Sequence, residues 1–210
     1  MKFQAIICVE LVVIGVDLAG TEKNPTGICI LEDLEIIETK HVYSDEELIN
    51  ELDKFKGALV AIDAPLSIPR GRKSLDEKSD VHFRECDREL LKRGIKFFPV
   101  TLGPMRMLTK RGIRIKKKLE SKGFKVIEVF PGGAQDVLGI PRKTKGKEKL
   151  LAGLMSLGLR GLRKDMSDHE LDAVTAAFVG KLFLEGKYEA LGDPSEGLII
   201  MPKPSDRLND

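Results

Sequence analysis

Val12-Val13-Ile14-Gly15-Val16-Asp17-Leu18-Ala19-Gly20 is the stretch on which the reading of this chain turns. Its β-branched run predicts a buried strand, and the strand delivers a carboxylate at its end. An uncompensated acid in such a place costs on the order of several kcal/mol, so Asp17 must be protonated, paired or bound to a cation. Hydrogen bonding to the turn Ala19-Gly20-Thr21 would also satisfy it. Working outward, Thr26 to Leu31 and Leu34 to Val42 read as two further strands joined by a tight turn at Glu32-Asp33. Ser44 with Glu47 is a capping box opening a helix to about Lys56, whose stripe is Leu48, Leu52 and Phe55. Ala58 to Ile62 is a continuous apolar strand, fitting a buried parallel position, and it too ends on an acid, Asp63, before Ala64-Pro65. The order so far is three strands, a helix and a strand.

Residues 70–100 read as an insertion with a helix around Val81 to Lys92. A basic helix follows from about Pro104 to Lys122, then a strand from Lys125 to Phe130 stopped by Pro131. Two more helices, near Lys145 to Gly158 and Ser167 to Gly186, and a short edge strand at Leu198-Ile199-Ile200 complete the pattern. Were the first strand flanked by a hairpin on one side and by the Asp63 strand on the other, Asp17 and Asp63 would face each other across a topological switch point, where open α/β sheets bind ligands. Glu128 in the next strand is either a third contributor or an acid pairing with a lysine. The last helix opens with Ser167-Asp168-His169-Glu170, a second capping box. Asp168 suits a first helical turn through the helix dipole alone. Asp172 stacks on it at i,i+4 and introduces the small face Ala173, Ala176, Ala177 and Gly180, which allows close approach to a sheet. His169 reads more readily as a solvated or capping histidine than as a ligand. Convergent carboxylates without cysteine form a hard oxygen site suited to Mg²⁺ or Mn²⁺ and poor for zinc, and such sites serve phosphodiester hydrolysis.

The 210 residues suffice for a single domain over 1–210, and 42% hydrophobic with 32% charged residues excludes disordered, collagen-like and disulfide-scaffold chains. Cys8, Cys29 and Cys86 are in no ligand or disulfide spacing. Ala5 to Ala19 is apolar but interrupted by Glu10 and Asp17, too short to span a bilayer, so the expectation is a cytoplasmic protein. Residues 1–11 either extend the first strand or precede a later true start. Two glutamines and three asparagines beside abundant Lys and Glu suggest a thermophile. The net charge of +2 hides a marked asymmetry: residues 1–60 carry 5 basic and 12 acidic side chains, residues 92–149 carry 17 and 4. Such a basic segment either binds nucleic-acid phosphates or is a solvated face. With aromatics at 5% and no Trp, an extended base-stacking platform for single strands is a poor reading and backbone contact is the better expectation.

The element order together with Ile14-Gly15-Val16-Asp17, Asp63 and Asp172-Ala173-Val174-Thr175-Ala176-Ala177 resembles the ribonuclease-H-like nuclease fold, Holliday-junction resolvases included. More closely, Val16 to Gly20, Ile62 to Pro69, Arg84-Glu85-Cys86-Asp87-Arg88, Glu128-Val129-Phe130-Pro131 and Leu171-Asp172-Ala173 resemble the DUF429 family of predicted ribonuclease-H-like nucleases. The resemblance implies a mixed α/β fold with a five-stranded sheet in the order 3-2-1-4-5, flanked by helices and carrying a helical insertion after the fourth strand. It implies catalysis by Asp17, Asp63, Glu128 and Asp172, metal ligation by Asp17, Asp63 and Asp172 with Asp168 as a fourth ligand, and Arg84, Asp87, Arg88 and Lys145 as candidate phosphate contacts. A resolvase-like pattern has an acid three residues before the helix Asp, where this chain has His169. The function so implied is metal-dependent cleavage of DNA or RNA. Two alternatives stay open: a non-catalytic nucleic-acid-binding protein, and a nucleotide-binding phosphotransferase of the actin or sugar-kinase kind, since Asp17-Leu18-Ala19-Gly20-Thr21 resembles their phosphate loop with the glycine offset by one. The chain length fits the last poorly, because such proteins close two domains over a nucleotide. The oligomeric state, a dimer included, stays open.

Overall fold

A computed structural model describes residues 12–204, so the readings of residues 1–11 and of Cys8 lie outside the described residues. The strands are β1 (Val12–Asp17), β2 (Thr26–Glu32), β3 (Glu35–Val42), β4 (Leu59–Asp63), β5 (Lys125–Val129), β6 (Tyr188–Asp193) and β7 (Gly197–Pro202). The helices are α1 (Asp45–Leu52), α2 (Glu85–Lys92), α3 (Gly103–Ser121), α4 (Pro131–Val137), α5 (Lys147–Ser156) and α6 (Asp168–Leu184). One sheet holds all seven strands in the order β3-β2-β1-β4-β5-β7-β6. The expected order 3-2-1-4-5 is its core. β1 pairs antiparallel with β2 and parallel with β4, β4 pairs parallel with β5, and β5 pairs parallel with β7.

Alternation along the central strands builds two apolar layers. Ile14, Val16, Val60 and Ile62 face α1 and α3, meeting Leu48, Leu52, Ile115 and Leu119. Val13, Leu59, Ala61 and Val129 face α6, meeting Ala173, Ala176, Ala177 and Val179. Asp17 continues the second row of β1 and Asp63 that of β4, so both acids emerge on the α6 side, where β1 and β4 end.

The sheet has seven strands where five are expected, and Leu198-Ile199-Ile200 is not at the edge: β7 lies between β5 and β6. β6, reading Tyr-Glu-Ala-Leu-Gly-Asp, has little apolar alternation of its own. It is held by pairing with β7 and by the insertion, whose Cys86, Leu90 and Ile95 pack on Leu191, Ile199 and Met201. Pro131 does stop β5, but it also begins α4, a position where its missing N–H costs nothing.

Candidate metal centre

The parallel ladder places Asp17 directly opposite Asp63. Asp172 joins them because two glycines let α6 settle onto the sheet. A Cβ on Gly15 would stand 2.0 Å from the Ala173 carbonyl oxygen, and one on Gly27 would stand 2.4 Å from that of His169. The Ser167 hydroxyl accepts from the Glu170 N–H at 3.1 Å and the Glu170 carboxylate accepts from the Ser167 N–H at 2.8 Å, so the helix starts at a fixed point. With start and depth both set, Asp172 in the second turn arrives beside the strand ends. One carboxylate oxygen from each of Asp17, Asp63 and Asp172 lies within 4.8 Å of the others.

Burial first, then the charges of Asp17 and Asp172, push the Asp63 carboxyl well above its usual 3.8. Asp172, 5% exposed, is likewise raised by burial, with the Lys143 ammonium opposing. Lys143 Nζ lies 2.5 Å from Asp172 Oδ2; burial would lower its pKa, but Asp172 outweighs that and raises it. Gln135 Nε2 donates to Asp172 Oδ1 at 3.1 Å and to Thr175 Oγ1 at 3.1 Å. His169 Nδ1 lies 2.7 Å from Asp17 Oδ2, a bond that raises the histidine pKa. Three close acids facing one ammonium and one titratable imidazole leave a deficit of positive charge. The donors are all hard oxygens, and the set fits a Mg²⁺- or Mn²⁺-type ion rather than zinc.

Glu128 is not brought to this group. It pairs in register with Ile62, not Asp63, and so points to the opposite face of the sheet. There it receives two hydrogen bonds from Arg84, both 2.8 Å, and one from the Leu66 N–H at 2.7 Å. Arg84 is 1% exposed and also grips Asp87 at 2.9 Å, so the candidate phosphate contacts Arg84 and Asp87 form a buried ionic network with Glu128. Asp168 is exposed in the first turn of α6, outside the carboxylate group. Arg88 is exposed and 3.9 Å from Glu85. Lys145 is exposed on a short 3₁₀ turn, two residues beyond Lys143.

The side chains that sequence reasoning did not assign to the site are Lys143, Gln135 and Thr175. His169 was legible in one respect, since i,i+3 spacing puts it on the Asp172 face. Nothing local marks Lys143 within the basic run. Part of that run is structural: buried Arg111 donates to Asp45 at 2.8 Å and to the carbonyls of Ala19 and Tyr43. Arg114 also binds Asp45, and Lys110 and Lys122 pair with Asp76 and Asp53.

Among solved structures, RuvC of T. thermophilus in complex with a Holliday junction substrate superposes with TM-score 0.51 over 84% of this chain and 96% of that chain, at 13% identity. At that identity the likeness shows the fold, which is ribonuclease-H-like. No curated protein matches the sequence. No helix among the described residues is long and apolar enough to cross a membrane. The strand-end acids, the buried Arg84 network and α6 all fall within residues 15–197, which match the family described as "Protein of unknown function (DUF429)", and the chain belongs to that family.

Proposed function

We propose that this protein is a divalent-metal-dependent nuclease that hydrolyses a phosphodiester bond of DNA or RNA at Asp17, Asp63 and Asp172. The observation that carries the reading is the convergence of three carboxylates within 4.8 Å at the ends of β1 and β4, in a ribonuclease-H-like fold. A purely structural role for the acids is disfavoured by Asp63, whose burial beside two other acids opposes its own ionisation. Asp17, Asp63 and Asp172 would hold Mg²⁺ or Mn²⁺. Such ions, when bound, supply positive charge that stabilises the attacking and leaving oxygens of an in-line displacement. His169 fixes the orientation of Asp17, and Gln135 that of Asp172. Lys143, on a turn that ends at Gly146 with φ of 120°, carries its ammonium to the reacting phosphate. Exposed Lys145 and its neighbour Lys149 contact the phosphate backbone beyond the centre. Asp168 and Arg88 lie on the exposed approach and have no place in the chemistry of this reading, while Glu128 supports the loop after β4 from behind. The RuvC neighbour holds a DNA junction, which is why branched substrates are included in the test.

The purified protein with Mn²⁺ or Mg²⁺ is incubated with single-stranded, duplex, flap and four-way-junction oligonucleotides. Cleavage of at least one, stopped by EDTA and reduced more than about 100-fold in Asp17→Asn, is the expected result. Cleavage of none, or equal cleavage by the mutant, overturns the reading.

A further inference from the structure

A cavity of 270 Å³ adjoins the carboxylate cluster, and Asp63 belongs to both. Its size is just below the roughly 300–1,000 Å³ of ordinary small-ligand sites, room for one planar ring system. Phe97, Phe98 and Phe130 line it, in a chain where aromatic residues are only 5% of the total. Phe97 is braced edge-on by Phe83 at 6.1 Å. Phe98 leaves 67% of its surface in solvent, a free aromatic face.

Charge decides what can enter. Arg84, Asp87 and Glu128 also contribute to the lining. All five N–H groups of the guanidinium are engaged: Nε with Asp87, Nη1 with Ser67 and Glu128, Nη2 with Asp87 and Glu128. One cation therefore serves two carboxylates, and this part of the wall keeps a surplus negative charge. With every guanidinium N–H taken, this part of the wall offers a phosphate no free donor, whereas a neutral ring needs none. The remaining cations of the lining are Lys96 and Arg142. Lys96 has no carboxylate partner among the described residues, and Arg142, though paired with Asp136, lies over the Phe130 ring at 5.6 Å.

Resting on the nuclease reading above, we propose that this cavity receives one unstacked nucleobase of the substrate. Phe98 provides the stacking face and Lys96 the contact to a flanking phosphate. Because Asp63 is shared, the bond presented to the carboxylates is the one beside the extruded base, and the substrate class is nucleic acid with an unpaired nucleotide rather than continuous duplex.

The test uses the full chain in EDTA and a duplex with a single unpaired cytosine, compared with the same duplex carrying an abasic spacer there. Affinity is read by fluorescence anisotropy for wild type and Phe98→Ala. Phe98 is exposed, so the variant melts as wild type does. The expected result is that removing the base weakens wild-type binding roughly tenfold, that Phe98→Ala loses a similar factor on the base-bearing duplex, and that it loses nothing further on the abasic one. Equal wild-type affinity for the two duplexes overturns the proposal, as does a Phe98→Ala loss that is the same on both. The nuclease reading fails separately: absence of cleavage with Mn²⁺ removes it while the metal-free base effect is still read, and cleavage that ignores the base removes the cavity proposal alone.

Discussion

Asp63 has the least comfortable environment of the three acids, half-buried at the strand end and facing Asp17 and Asp172. A carboxyl with a raised folded-state pKa favours folding fully below its unfolded value, near 3.8, and loses that contribution as pH rises through the folded value. The metal-free Asp63→Asn variant is therefore expected to be more stable than wild type at neutral pH. Denaturant melts across pH check this: the gap should be absent near pH 3.8 and below and open as pH rises. Asp17, Asp63 and Asp172 were legible in the sequence because acids ending apolar strands, or opening a small-residue helix face, contradict their surroundings. The side to which Glu128 points was not, because it depends on the β4–β5 register, and a one-residue slip exchanges the faces. Lys143 was equally hidden, since its partner Asp172 is 29 positions away and only the fold joins them.

At the level of elements, the centre depends on how closely α6 lies on β1. Gly15→Ala drives a methyl into the Ala173 carbonyl oxygen at 2.0 Å, a backbone atom that cannot rotate away. The expected cost is about 3 kcal/mol of unfolding free energy, seen as a lower urea midpoint with an unchanged slope. Metal response should fall with it, because the helix that carries Asp172 is displaced. The close approach was readable from the alanine and glycine spacing of α6, as were the two capping boxes. β6 was not, because its six residues are stabilised by β7 and by the insertion helix rather than by their own pattern. Local sequence signals specify an element only where that element supplies its own apolar face.

Across the whole molecule, the basic segment divides into a structural part and a free part. Arg111 and Arg114 fasten α3 to Asp45, whereas Lys145, two residues beyond Lys143, stands exposed. Affinity for an oligonucleotide should fall linearly with the logarithm of salt concentration, and Lys145→Ala should reduce that slope by about one. Binding titrations at several salt concentrations read this directly, and an unchanged slope would place the phosphates elsewhere. Composition gave the charge asymmetry, but only the fold separates buried guanidiniums from available ones. Thermal melting of wild type and Asp63→Asn with and without Mn²⁺ shows whether Asp17, Asp63 and Asp172 form one divalent-metal centre. A ligand bound only by the folded state raises the midpoint by mass action. The expected result is a Mn²⁺-dependent rise in wild type that is lost in Asp63→Asn; no rise in wild type, or an equal rise in both, overturns the shared metal centre.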